Sequence, residues 1–312
     1  MKDFLNTLKR NAAVVGVMSL GVLAVGSAVL LSRTSSLNPV STDAALNTCE
    51  ANYVIARPSI TPCLGSIDVN LILDRSSSMN TLYNGETKLK WEKKAMLAFL
   101  KSARERASTN KNLSVWVGVT SYGAQGNIAD GETLKLGNAY RSNLHTPRLL
   151  DIASATGYDS LVGAVNSVSY NASGNGTCTE CGLRIGRKQL FSGFTRQSLV
   201  KANVLVADGL SNRVWDGTGY LENGNPPYLD ESPSNPANLK AVAESKLGKN
   251  VGIDQYVVGY GTGTNINRVT LKNISNTGST PYYFENPDPA VWTASMIKVL
   301  DNLCKVSTQR AI

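Results

Sequence analysis

The stretch Ile67-Asp68-Val69-Asn70-Leu71-Ile72-Leu73-Asp74-Arg75-Ser76-Ser77-Ser78 decides the fold. Its first seven residues form a largely apolar run, which reads as a buried strand. Its last five set an aspartate and two hydroxyls at alternate positions just past the strand's end. Hard oxygen donors in that arrangement suit a divalent cation. The same residue types also cap turns and helix starts, so this motif alone leaves both readings open.

Outward from it, strand-like and helix-like segments alternate as far as residue 305. Residues 67–74, 113–122, 202–207 and 253–260 read as strands, and 281–284 as a short edge strand. Residues 89–106 carry Trp91, Ala95, Phe99 and Ala103 at four-residue spacing, a helical face. Residues 160–168, 181–191, 236–247, 266–275 and 288–305 also read as helices, with Gly248 as a C-terminal cap for the third of these. Strands separated by helices predict an α/β fold with a doubly wound, mainly parallel sheet. Such sheets bind ligands beyond the carboxyl ends of their strands, where Asp74 and Asp208 are expected.

Two further loops offer oxygens. One is Gly176-Thr177-Cys178-Thr179-Glu180-Cys181-Gly182-Leu183, which leads into a helix. The other is Val204-Leu205-Val206-Ala207-Asp208-Gly209, where a β-branched run ends on an aspartate. Taken together, the three loops resemble a von Willebrand factor A domain with a metal-ion-dependent adhesion site. That family's pattern is D-x-S-x-S after the first strand, a threonine about five residues before a Gly-apolar helix start, and Asp-Gly after a strand. The resemblance implies a metal set of Asp74, Ser76, Ser78, Thr177 and Asp208 holding Mg²⁺, or Mn²⁺ or Ca²⁺. Neutral hydroxyls leave such an ion electrophilic, so that it takes a carboxylate from an acidic residue of a protein partner. Related A domains couple partner binding to sliding of the last helix, which here corresponds to residues 288–305.

The 312 residues carry 42% hydrophobic and only 17% charged side chains, enough apolar content for a sizeable core. The net charge of +8 overstates the basic character of the folded part, because residues 1–33 hold Lys2, Lys9, Arg10 and Arg33 against Asp3 alone. No basic run stands out, so nucleic acid is a poor partner. Residues 12–31 are uncharged and long enough to span a bilayer. Lys9 and Arg10 before them predict a cytoplasmic tail at 1–11 and an exported remainder. A cleaved signal peptide ending at Gly26-Ser27-Ala28 is the alternative. Residues 32–62 read as a linker, 63–305 as the A domain and 306–312 as a C-terminal tail.

His145 is the only histidine and reads as a surface-loop residue. No paired nucleophile and base is visible, so catalysis is not expected. Residues 210–235 form a long, aromatic, Asn-rich segment directly after Asp208; Trp215, Tyr220 and Tyr228 are its candidate partner contacts, with a bland surface insertion as the alternative. An exported location favours disulfides among the five cysteines. Cys178 and Cys181 read as a local bridge bracing the Thr177 loop, with a redox pair as the alternative. Some extracellular A domains join their two ends, which implies Cys63–Cys304, with Cys49–Cys304 as the alternative. The order of anchor, linker and A domain resembles that of Tad-type pilus-assembly proteins. It implies an adhesion or pilus-associated role at the cell surface, or else an envelope assembly or stress factor that recruits a partner.

Overall fold

The computed structural model describes residues 63–123, 142–170, 176–191, 197–215, 220–222, 235–261, 265–278 and 281–311. All lie in the compact unit Ser59–Ile312. The tail at 1–11, the apolar segment at 12–31, the linker and Cys49 fall outside the described residues. Among the described residues, no helix is long and apolar enough to cross a membrane.

The strands are β1 (Gly65–Asp74), β2 (Leu82–Tyr83), β3 (Glu86–Thr87), β4 (Leu113–Tyr122), β5 (Ser142–Leu144), β6 (Leu150–Asp151), β7 (Val200–Ala207), β8 (Arg213–Trp215), β9 (Tyr220–Glu222), β10 (Ile253–Gly259) and β11 (Tyr283–Glu285). The α-helices are α1 (Lys88–Thr109), α2 (Ala155–Ser167), α3 (Thr179–Phe191), α4 (Pro236–Asn250), α5 (Arg268–Ile274) and α6 (Trp292–Ala311). The main sheet runs β11-β10-β7-β1-β4-β5, with β6 also on β4. From β11 to β4 every pair is parallel; β5 and β6 are antiparallel to β4.

Alternation along β1 divides the core. Ile67, Val69, Leu71 and Leu73 pack on one face with Phe99, Met96, Trp292 and Met296. Ile72 packs on the other with Leu183, Leu205, Val257, Ala241 and Leu271. Helices thus cover both faces, as parallel sheets require. Burial of these branched side chains, at about 1.5–3 kcal/mol each, is the main force holding the layers together. Helix α3 sits especially low. A Cβ at Gly182 would meet Tyr122 Cδ1 at 2.8 Å, and one at Gly186 would meet Asn70 Nδ2 and Asn203 Oδ1 at 2.7 Å. These two glycines, one turn apart, let the start of α3 approach the ends of β1 and β4.

Several boundaries differ from expectation. Helix α2 begins at Ala155, five residues before residue 160, because Ser154 caps it by accepting the Gly157 N–H at 3.0 Å. Gly248 is not the cap of α4. It lies inside the helix, where a Cβ would meet Gln255 Nε2 at 2.5 Å, and Gly252 takes the left-handed turn at φ +84°. The last helix begins at Trp292 and runs to Ala311, so most of the segment read as a tail is helix. The hairpin β2–β3 was not anticipated, although Asn84-Gly85 at its tip, both at positive φ, is a strong hairpin signal.

Candidate metal centre

Strand register brings the first and third oxygen loops together. Asp74 ends β1 and is fully buried; Asp208 follows the last residue of the adjacent β7 and is 7% exposed. Tyr122, paired with Asp74 across β1 and β4, bridges the two ends: its hydroxyl lies 3.2 Å from Asp74 Oδ2 and 3.0 Å from the Val206 carbonyl. The Asp74 carboxylate is held from both sides. Its Oδ1 accepts the Ser76 N–H at 2.8 Å, and its Oδ2 accepts from the Tyr260 hydroxyl at 2.7 Å.

After Asp74 the chain turns through a short 3₁₀ segment, Ser77–Asn80. Ser76 and Ser78 place their hydroxyl oxygens 3.0 Å apart; Ser76 is buried and Ser78 exposed. Asp208 accepts the Leu210 N–H at 3.0 Å, and Gly209 turns the chain at φ +74°, where a side chain would collide with Leu271 and the Asn267 carbonyl.

The Thr177 loop is joined to the segment after Asp208. The Thr177 N–H donates to Asn212 Oδ1 at 2.7 Å, and its carbonyl accepts from the Asn212 N–H at 3.0 Å and the Ser211 hydroxyl at 3.1 Å. Ser211 also accepts the Thr179 N–H at 3.2 Å. Cys178 and Cys181 are disulfide-bonded across the first turn of α3, and Cys63 is bonded to Cys304. Residues 211 and 212 therefore have a structural task that the sequence reading had not assigned. Backbone pairing sets Trp215 opposite Tyr220 in the β8–β9 hairpin; Tyr228 lies outside the described residues.

The electrostatics point one way. Burial raises the pKa of Asp74. Burial, and then the Asp74 charge, push Asp208 up to about 7. A third acid, Glu92 on α1, is also buried; its Oε1 accepts the Asp74 N–H at 2.9 Å, and burial followed by Asp74 raises it well above the usual range. Among the described residues no lysine or arginine forms an ion pair with these three acids. Two neighbouring carboxylates costly to ionise, the Ser76 and Ser78 hydroxyls and an exposed edge at Ser78 fit a hard divalent cation. Sequence reasoning missed Glu92, Tyr122 and Tyr260. The two tyrosines do sit at the ends of recognisable strands.

His145 corrects an expectation. It is half-buried rather than a free surface residue, with Nε2 2.8 Å from Ser121 Oγ and Nδ1 3.3 Å from Ser167 Oγ. Burial, then Arg75 and Lys93, lower it to about 4.

No family model and no curated protein matches the chain. Solved structures do. The pilus adhesin SpaC from Lactobacillus rhamnosus GG, in its open conformation, is 20% identical with a TM-score of 0.56 over 78% of this chain and 30% of SpaC. The vWF domain of the type V pili tip protein Mfa5 from Porphyromonas gingivalis is 16% identical with a TM-score of 0.53, over 79% of this chain and 96% of that one. A D319A mutant of the PilB minor pilin from Streptococcus sanguinis is 18% identical with a TM-score of 0.51, over 78% of this chain and 63% of that one. This chain spans about a third of the SpaC chain. The fold is von Willebrand factor A-like.

Proposed function

We propose that this chain is an exported, membrane-anchored adhesion or pilus-associated protein whose A-like domain binds a protein partner through a divalent cation. The observation that carries this reading is the pair of buried carboxylates, Asp74 and Asp208, on adjacent strand ends beside the hydroxyls of Ser76 and Ser78. Asp74, Ser76, Ser78, Thr177 and Asp208 would hold the ion, with Mg²⁺ preferred for an all-oxygen set and Mn²⁺ or Ca²⁺ as substitutes. A cation there supplies an electrophilic position for a carboxylate oxygen of the partner. The protein's own part is preorganisation. Tyr260, Tyr122 and the Ser76 N–H hold the Asp74 carboxylate, and Ser211 and Asn212 hold the Thr177 loop. The pilus adhesins among its structural neighbours support a surface role, and the uncharged segment at 12–31 supports the anchor.

We read the role as binding. Ser121 and His145 form a hydroxyl–imidazole pair in which Ser121 is fully buried. Calorimetry on the full-length chain tests the reading: Mg²⁺ or Mn²⁺ binds one site, and Asp74→Ala abolishes binding while the fold is retained. An Asp74→Ala variant that binds metal as tightly as the parent chain overturns it.

A further inference from the structure

Lys88 is the first residue of α1, whose first turn contains no acidic side chain. A cation at a helix N-terminus opposes the macrodipole, at a cost of about 0.3–1 kcal/mol. Its neighbours on the helix are otherwise engaged. Lys90 and Lys94 both pair with Glu86, and Lys93 donates to the Asn166 carbonyl at 2.8 Å. Among the described residues, no carboxylate pairs with Lys88. Its backbone is fastened close to the D-x-S-x-S turn instead: the Lys88 N–H donates to the Thr81 carbonyl at 3.0 Å, and the Thr81 N–H to the Ser78 carbonyl at 3.1 Å. Its ammonium lies 5.4 Å from the centre of the Tyr260 ring, the residue whose hydroxyl holds Asp74. The Lys88 charge also reaches Asp208, where it works against the upward shift caused by burial.

The fold therefore keeps an ammonium that pairs with no carboxylate among the described residues beside the mouth of the acid pair, at a position its own helix disfavours. When a divalent cation occupies the pair, the ammonium and the ion repel. A partner that brings a single carboxylate answers only one of these positive charges. We propose that Lys88 is a second recognition group at this mouth, selecting an acidic partner segment that carries two carboxylates, one for the metal and one for the ammonium. This inference rests on the metal reading above and names the partner chemistry of the same site.

The test uses the full-length chain, metal alone, and capped synthetic peptides that carry either one Asp or two Asp separated by zero to three Gly. In Mg²⁺, the best two-Asp peptide is expected to bind about threefold to fivefold tighter than the one-Asp peptide, the size of an exposed charge pair. Lys88→Met should bring that ratio to about 1 while tightening Mg²⁺ binding itself about twofold to fivefold, because a neighbouring positive charge is removed. Lys88→Arg should keep the peptide ratio. A residue with only a structural role would weaken both ligands together. Equal affinities of the unmodified chain for the two peptides, an advantage that survives Lys88→Met, or Mg²⁺ binding with no peptide binding overturns the proposal alone. Absence of Mg²⁺ binding to the unmodified chain overturns the metal reading, and the proposal falls with it.

Discussion

At the amino-terminal end of the sheet, Cys63 is bonded to Cys304, Asn110 donates to the Cys63 carbonyl, Leu64 and Ser307 are hydrogen-bonded, and Arg106 pairs with Asp301 at 2.6 Å. At the carboxyl end, Asp74, Asp208 and Glu92 are buried with raised pKa values, and Arg75 and His145 are pushed down, to about 10 and about 4. One end is fastened by covalent and paired groups. The other concentrates buried ionisable groups whose charged forms burial disfavours. The contrast separates an end held together by paired groups from an end whose buried charges cost stability. Helix α6 joins the two, from Trp292, whose ring centre lies 5.0 Å from that of Tyr260, to Cys304.

The largest effect should come from the fastened end. The Cys63–Cys304 bridge closes a loop with a sequence separation of 241, which chain entropy values at about 5 kcal/mol. Replacing both cysteines by alanine should lower unfolding free energy by up to that amount in non-reducing chemical denaturation. If stability is unchanged, the fastened end is not where the fold is held. The sequence-level expectation that the bridge resists sliding of the last helix is tested on the same variant: a change in partner affinity on losing the bridge supports it, and an unchanged affinity removes it.

The next effect comes from the opposite end. His145 has a folded pKa of about 4 against about 6.5 unfolded, so it is neutral in the fold. Its contribution is complete above pH 6.5 and is lost as pH falls from 6.5 toward 4, by up to about 3 kcal/mol. The difference in unfolding free energy between the parent chain and His145→Gln across that range should carry this slope, because Asp208, which titrates there with the opposite sign, contributes to both. As the sole histidine, its ring resonance can be followed directly. A titration near pH 6.5 would contradict the burial account.

The smallest effect concerns Arg106. Arg106→Met removes a partly exposed ion pair and should cost about 1 kcal/mol or less. It should leave metal affinity unchanged, because the pair sits at the far end of the sheet. A shift in metal affinity would mean that the two ends communicate through α6.

Much of this architecture was legible in the sequence because burial on both faces leaves a clear mark. The apolar run at 113–122 delimits β4, and Asp74 and Asp208 stand out where such runs end. The Thr177 loop was legible from its Gly-apolar helix start. What packs against those residues was not legible. Tyr260 reaches Asp74 across 186 residues of chain, and Glu92 reaches it from a helix face that reads simply as core spacing. Gly248 was misread because a glycine near a helix end resembles a cap, while its real constraint is Gln255 on the neighbouring strand. Local chemistry announces strand ends and turns, whereas partners brought in by tertiary packing carry no local signal.

The most direct test of the central claim, that the acid-rich end is a cation site kept at a cost in stability, is denaturation of the parent chain and Asp208→Asn at pH 8 with and without Mg²⁺. Without metal, Asp208→Asn should be the more stable, because it removes a carboxylate that burial and Asp74 make costly to ionise. With Mg²⁺ at about a hundred times its dissociation constant, the parent chain should gain about 2.7 kcal/mol and the variant nothing. A parent chain indifferent to Mg²⁺, or an equal gain in both proteins, would contradict the account.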